Sequence, residues 1–141
     1  MPYLFASLGM LAWAAYVDRT GKKISNLAIT CFLGAVGLAL SVVSGSLLAA
    51  LAGLTLALIG VTAARAIFWT IPTRFLTGVA AAGGLAFINM IGTIGGFAGP
   101  VMMGELRQLT GSFESGLMAM AGVMIAATLL AASLKLIVTR E

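Results

Sequence analysis

Residues 75–104 read FLTGVAAAGGLAFINMIGTIGGFAGPVMMG, and this glycine-rich apolar stretch decides the fold. It contains no charged side chain and holds eight of the chain's eighteen glycines. In water it would be a poor helix, because each interior glycine costs about 1 kcal/mol relative to alanine. In a bilayer an unpaired backbone group is more costly still, so the helix is enforced, and small residues let neighbouring helices approach closely. The stretch therefore predicts a membrane helix.

Two features of this helix point beyond its insertion into a bilayer. Its glycines form two pairs four residues apart, which is the small-xxx-small spacing of close helix packing. Asn89 is the one strongly polar side chain, and Thr93 follows one turn later on the same face. We therefore expect a polar face with its own role, and packing by a set of small and rigid residues. That packing set is Gly92, Gly95, Gly96, Gly99 and Pro100.

The composition of the whole chain supports an integral membrane protein. Of its 141 residues 61% are hydrophobic and only 9% are charged, and the mean hydropathy is +1.13. A soluble domain is about 45–50% apolar and about 25% charged. The absence of histidine, with one cysteine and four acidic residues, predicts no metal site, disulfide or cofactor. The net charge of +4 lies at the ends of apolar runs, which argues against nucleic-acid binding.

The apolar pattern predicts one all-α domain over residues 1–141, a polytopic bundle of five transmembrane helices. The first segment has about sixteen residues, slightly fewer than the ~20 that cross the hydrocarbon core. Pro72 favours a boundary after the third segment, and a polar loop is expected over 105–112. Cys31 lies in mid-helix, where we expect a small buried hydrophobic residue. The predicted helices span about 2–17, 24–43, 47–71, 75–103 and 114–138.

The positions of lysine and arginine predict the orientation. If the polar turn at 18–23 is cytoplasmic, alternation of the helices places seven of the eight basic residues inside and leaves Arg107 outside. Positive residues are enriched in cytoplasmic loops. The sequence therefore predicts a multi-pass protein of the cell (inner) membrane, with its N-terminus outside and its C-terminus in the cytoplasm.

The polar turn carries the first recognisable motif. Residues 14–23 read AAYVDRTGKK and resemble the G-x-x-x-D-R-x-G-[RK]-[RK] loop of the major facilitator superfamily, with Ala14 where the family usually has glycine. An aspartate at helix ends can cap N–H groups and pair with arginine, and a glycine permits a tight turn. The alternative is an ordinary basic cytoplasmic turn. The expected gating residues are Asp18, Arg19, Gly21, Lys22 and Lys23.

A longer pattern identifies the chain as similar to helices 10 and 11 of the anion:cation symporter family. The pattern consists of FW-x-x-P at 68–72, FLTG at 75–78, AAA at 80–82, IN at 88–89 and GGFAGP at 95–100. Bacterial members include permeases for tartrate, phthalate, hydroxyphenylacetate and sugar acids. The resemblance covers essentially the whole chain as helices 8 to 12. Thr93 is a departure, because many relatives have a second asparagine there.

The resemblance implies the C-terminal part of a secondary active transporter for small organic anions. Such transporters have two six-helix halves, with the substrate near the midplane between them. The implied partners are the lipid bilayer, an organic anion, a coupling cation for which the proton is expected, and the N-terminal half. The chain alone is expected not to transport. The alternative is a small non-transporting membrane protein that acts as an assembly or regulatory partner, and a membrane enzyme is disfavoured because the helices offer no catalytic arrangement.

Four residues are candidates for substrate binding: Arg65, Trp69, Asn89 and Thr93. Trp69 is either an interfacial aromatic residue or a cavity-lining one, as its place in the family pattern implies. Arg65 lies one turn before Trp69, and it either reaches towards the cytoplasmic surface or attracts an anion. The Asn89 amide either bonds another helix or binds substrate hydroxyl or carboxylate groups, and the resemblance favours the substrate.

The topology leads to the first testable prediction. In a Cys31→Ala background, Lys22→Cys should react with an impermeant maleimide only from the cytoplasmic side, and Gln108→Cys only from the outside. The charge distribution is the physical reason. Labelling of intact cells and of inverted vesicles measures it, and the reverse pattern would disprove the orientation.

Overall fold

The computed structural model describes residues 2–138, apart from the side chains at positions 2, 3, 5, 6, 18, 75 and 138. The described chain is an all-α bundle of five long helices and one single-turn helix, and no strand occurs among these residues. The helices are α1 Pro2–Thr20, α2 Lys23–Val43, α3 Leu47–Trp69, α4 Pro72–Phe75, α5 Gly78–Thr110 and α6 Phe113–Val138.

Four of the helices are long and apolar enough to cross a bilayer. They are α2, α3 with the turn that follows it, α5 and α6, whereas the apolar part of α1 is shorter, over Ser7–Val17. The all-α helical bundle predicted from the sequence is therefore confirmed, and four of the five predicted membrane spans meet this criterion among the described residues. Cys31 in α2 is 6% exposed, which confirms its expected burial.

Helix α5 is longer than the sequence predicts, because it continues from the expected end at 103 to Thr110. The residues expected to begin a polar loop, from Glu105 onwards, are helical instead. Pro100 lies inside the helix and does not end it; prolines are tolerated within membrane helices when neighbouring groups satisfy the backbone. The helix ends at Gly111, whose φ of +69° is the left-handed conformation that glycine adopts without a steric penalty. At 1.5 Å per residue, α5 is about 50 Å long, against about 30 Å for the hydrocarbon core.

The five long helices pack in the spatial order α1, α3, α2, α6, α5. Helix α3 packs against both α1 and α2, α2 also packs against α6, and α6 packs against α5. Consecutive helices are therefore not always the principal neighbours. Helix α5 forms one end of this arrangement and has its main contact with α6 alone.

The closest packing in the molecule is between α2 and α3, and glycines on both helices make it possible. A Cβ atom on Gly53 would lie 2.7 Å from the backbone nitrogen of Ser41 and 2.8 Å from the backbone oxygen of Gly37. A Cβ on Gly60 would lie 2.7 Å from the backbone oxygen of Thr30. Real Cβ atoms do not approach other atoms so closely, so any larger residue would force the helices apart. Small residues at membrane helix interfaces permit this kind of backbone contact.

The α5 glycines do not make the close helix contacts that the sequence predicts for them. A Cβ on Gly92, Gly95 or Gly96 would have no atom within 4 Å outside its own helix neighbourhood, and one on Gly99 would lie 3.5 Å from Met120 Cε. Pro100 is exposed. The expected close packing by these five residues is thus not present within the described chain, because α6 covers only one flank of α5. Packing against a further helix stays a prediction.

The contrast between the two glycine sets leads to a second prediction. Gly53→Ala should lower the stability of the bundle, since the new methyl group must displace backbone, and overpacking of this kind typically costs about 1–3 kcal/mol. The matched change Gly96→Ala, into open space, should leave stability unchanged or slightly raised. Thermal unfolding of the purified chain in detergent measures both. Equal losses for the two variants would contradict the assignment of the close contact to α2 and α3.

Candidate functional site

The turn between α1 and α2 has the tight geometry that its motif predicts. Gly21 has φ +67°, and its N–H donates to the carbonyl of Val17 over 2.9 Å. The Thr20 hydroxyl donates to the carbonyl of Tyr16 over 2.8 Å. Carbonyls that would be unpaired at the end of α1 are thereby satisfied, and only glycine fits the left-handed position without strain.

The charged residues of this turn are accessible. Arg19 and Lys22 are exposed and Lys23 is half-buried at the start of α2. None of the three makes an ion pair with a described side chain, and the Asp18 side chain, on which the expected Asp–Arg pair depends, lies outside the described residues. The gating role of this motif therefore stays a prediction.

Arg65 and Trp69 lie at the end of α3, where the chain leaves the bundle. Arg65 is exposed, and Trp69 is half-buried with its ring 6.0 Å from that of Phe68 in an edge-to-face arrangement. Arg65 follows Val61 by four residues, so both lie on the same face of the helix. A guanidinium on this face, without an ion pair to any described residue, is available to an anion.

Asn89 and Thr93 form an exposed polar face on α5. The Thr93 hydroxyl donates to the backbone carbonyl of Asn89 over 2.9 Å. The side-chain amide of Asn89 makes no hydrogen bond to any described residue and is exposed. Within this chain the amide is thus not used to hold two helices together, which was the alternative left open by the sequence. Its donor and acceptor are both free for another partner.

A separate apolar groove of about 540 Å³ lies between α3 and α5. We call it the α3–α5 groove. Helices α2 and α6 form its base, and its lining contains only apolar residues. The residues that face one another across it are Leu54, Leu58 and Val61 of α3 and Gly95, Gly99 and Met102 of α5.

The groove and the polar face are on different sides of α5. Asn89 and Gly95 are six residues apart, which at 3.6 residues per turn places them about 120° apart around the helix. None of the four candidate substrate residues lines the groove. The candidate substrate residues therefore form two separate pairs: Arg65 and Trp69 on α3, and Asn89 and Thr93 on α5. Helices α3 and α5 do not pack against each other.

The α3–α5 groove could not be predicted from the sequence. Its methionines, Met102 on α5 with Met120 and Met124 on α6, look scattered along the chain, and only the helix arrangement brings them to one cavity. The spacing of Met120 and Met124, four residues apart on one face of α6, is the sole hint in the sequence. Apolar residues on a membrane helix do not reveal which face meets protein and which meets lipid.

Comparison with known proteins finds curated relatives that are transporters. The chain is 42% identical over 125 residues to a "Putative tartrate transporter" of Agrobacterium vitis, a match that covers 89% of this chain and 29% of the relative. It is 37% identical over 125 residues to a quinolone resistance transporter of Acinetobacter baumannii, covering 89% of this chain and 29% of that protein. It is 33% identical over 135 residues to the inner membrane transport protein RhmT of Escherichia coli (strain K12), covering 96% of this chain and 31% of that protein.

The matches cover a similar share of the length of each relative. The chain spans about 29–31% of the length of these curated relatives. No protein-family model matches the chain. No solved structure matches it either.

Proposed function

Because this chain is related over most of its length to transporters of the major facilitator type, we propose that it forms the C-terminal part of a secondary active transporter for small organic anions. The observation that carries this proposal is the agreement between the relatives and the free polar groups on α3 and α5. In transporters of this kind the substrate site lies near the bilayer midplane between two halves and is reached alternately from each side. The described chain contributes groups from one half.

The chemistry of the four candidate residues suits a carboxylate. Arg65 offers a cation with up to five N–H donors, and the Asn89 amide offers both donor and acceptor to a carboxylate or hydroxyl group. The Thr93 hydroxyl, which donates within its own helix, keeps acceptor capacity for a substrate hydroxyl. Trp69 supplies an aromatic face against which a planar acid could pack. Tartrate, named for the Agrobacterium vitis relative, carries both carboxylate and hydroxyl groups.

The groups that couple transport to a cation are proposed to lie outside this chain. Glu105 is exposed in the last two turns of α5 and Glu114 is exposed in the first turn of α6, so both lie near helix ends and away from the helix centres. A proton-coupled mechanism needs a carboxyl group inside the membrane whose protonation accompanies substrate movement. We therefore place that group in the part of the relatives that this chain does not match, and we propose the inner membrane as the location, with the N-terminus of this chain outside.

A reconstitution experiment separates this function from that of a small non-transporting partner protein. The purified 141-residue chain is reconstituted into liposomes with a pH gradient, and radiolabelled tartrate is added outside. It should show no saturable uptake, because its two polar pairs are not joined into a site. A chimera that joins this chain to the unmatched part of the Agrobacterium vitis relative serves as the positive control and should transport. Gradient-driven, saturable uptake by the chain alone would contradict the proposal, as would a stable homo-oligomer of the chain with an inactive chimera.

The role of Asn89 leads to a further prediction in that chimera. Asn89→Ala should raise the KM for the transported anion about tenfold to a hundredfold, equivalent to about 1–3 kcal/mol, because a substrate group loses its hydrogen-bond partner. The amount of monodisperse protein should be unchanged, since the amide makes no hydrogen bond to a described residue. Uptake kinetics and size-exclusion profiles of the same preparations measure the two effects.

The neighbouring change Met90→Ala provides the matched control. Met90 is 55% exposed and lies about 100° away around the helix. The Met90→Ala change should leave the KM for the transported anion unaltered. Normal kinetics in Asn89→Ala, or equal losses in both variants, would remove the ligand role from Asn89.

A further inference from the structure

The cations of the turn between α1 and α2 form a positive patch on the surface of the bundle. Arg19 and Lys22 are exposed and Lys23 is half-buried. None of the three forms an ion pair with a described side chain. They end α1 and begin α2, so they lie together at one end of the bundle. We call these three residues the basic turn.

Helix α6 adds a further basic residue at the same level. Met124 of α6 lies against Gly34 of α2, because its Sδ would be 3.2 Å from a Cβ added to that glycine. Lys135 is eleven residues after Met124. Lys23 is eleven residues before Gly34. The two helices pack together and run in opposite directions, so Lys135 lies at the level of the basic turn.

Acidic residues do not balance this end of the bundle. Among residues 2–138 the acidic residues are Asp18, Glu105 and Glu114. Glu105 and Glu114 flank the turn between α5 and α6, which is the far end of α6 from Lys135. Asp18 alone accompanies the four basic residues here, which leaves an excess of three positive charges. Cations gathered at one end repel one another, and a bound anion relieves that repulsion.

The outer face of α2 extends from the basic turn into the apolar part of the helix. Its side chains are three or four residues apart and so follow one face: Lys22, Ser25, Ile29 and Phe32. Ile29 is 50% exposed and Phe32 is 56% exposed. The Ser25 hydroxyl makes no hydrogen bond to a described residue. Gly37, which meets α3, lies on a different face. The outer face therefore has a cationic, hydroxyl-bearing end and an apolar continuation.

This combination suits an anionic phospholipid. The phosphate of such a lipid carries a negative charge and accepts hydrogen bonds, which matches guanidinium, ammonium and hydroxyl donors. Its acyl chains are apolar, as the continuation of the outer face is. Basic clusters at the ends of membrane helices bind anionic headgroups. A soluble anion would engage the cations alone and leave the apolar part of the face without a partner.

We propose that the basic turn and the outer face of α2 form a binding site for one anionic phospholipid, such as phosphatidylglycerol. The phosphate lies among Arg19, Lys22 and the Ser25 hydroxyl, and one acyl chain lies along the apolar part of the face. The two other lysines at this end strengthen the positive potential at the phosphate. The inference concerns the lipid-facing surface of the chain, so it does not rest on the proposed transport function.

Lipid titration tests the charge requirement. The full 141-residue chain is purified in detergent and titrated with phosphatidylglycerol or with phosphatidylcholine of the same acyl chains, and native mass spectrometry measures the bound lipid. The chain should bind phosphatidylglycerol about tenfold more tightly than phosphatidylcholine. The double variant Lys22→Gln, Lys23→Gln should lower the phosphatidylglycerol affinity about tenfold, because two cations near the phosphate are lost.

Two matched variants distinguish a site from a general effect of net charge. Arg74→Gln with Arg107→Gln removes the same number of charges elsewhere in the chain and should leave the phosphatidylglycerol affinity unchanged. Lys22→Arg with Lys23→Arg keeps both cations and should bind as the parent chain does. All of these side chains are exposed or half-buried, so each variant should keep the helical circular dichroism of the parent.

Photolabelling tests the position of the acyl chain. In phosphatidylcholine vesicles that contain phosphatidylglycerol with a diazirine in one acyl chain, residues 25–36 should be labelled severalfold more strongly than by the same diazirine on phosphatidylcholine. Any of four results would overturn the proposal: equal affinity for the two lipids, equal losses in the two double glutamine variants, equal labelling of residues 25–36 by the two lipids, or displacement of phosphatidylglycerol by an equal concentration of inorganic phosphate.

Discussion

Direct backbone contact between α2 and α3 is the interaction on which the rest of the described bundle depends. In a bilayer, burial of apolar surface does not drive helices together, because lipid is as apolar as the side chains. Association relies instead on the dispersion attraction gained when backbones approach closely, and only small residues allow that approach. Gly37, Gly53 and Gly60 provide it here. Helix α1 packs on one side of this pair and α6 on the other, so an error at this contact would displace every other helix.

The sequence predicts much of the fold because the bilayer admits so few structures. Hydrophobic length, charge placement and the turn at Gly21 are sufficient to predict an all-α bundle and most helix ends. The sequence does not predict the end of α5, because the polar residues after Met103 indicate a loop outside the membrane, whereas the helix continues to Thr110. Polar composition shows where lipid ends, which is a different question from where the backbone stops being helical.

The glycines illustrate what the sequence cannot predict. Gly92 and Gly96 have the same four-residue spacing as favourable packing motifs, yet they face open space, while Gly53 and Gly60, spaced seven apart, meet backbone directly. The spacing of glycines shows that one face of a helix carries small residues. It does not show that another helix packs against that face. The arrangement of the candidate site residues likewise cannot be predicted from local sequence patterns. Asn89 and Arg65 can be recognised from their polarity in apolar surroundings, but their separation on α5 and α3 depends on helix order, which no local pattern encodes.

The length of α5 has a mechanical consequence. Membrane helices tilt by up to about 40°, and even at that angle a helix of about 50 Å extends beyond a core of about 30 Å. Its last turns, with Glu105 and Arg107 exposed, therefore form a helical extension past the hydrocarbon that remains continuous with the segment bearing Asn89. Because no loop interrupts α5, a rocking of a few degrees about its contact with α6, near Gly99 and Met103, would move the Asn89 segment and the Thr110 end in opposite directions.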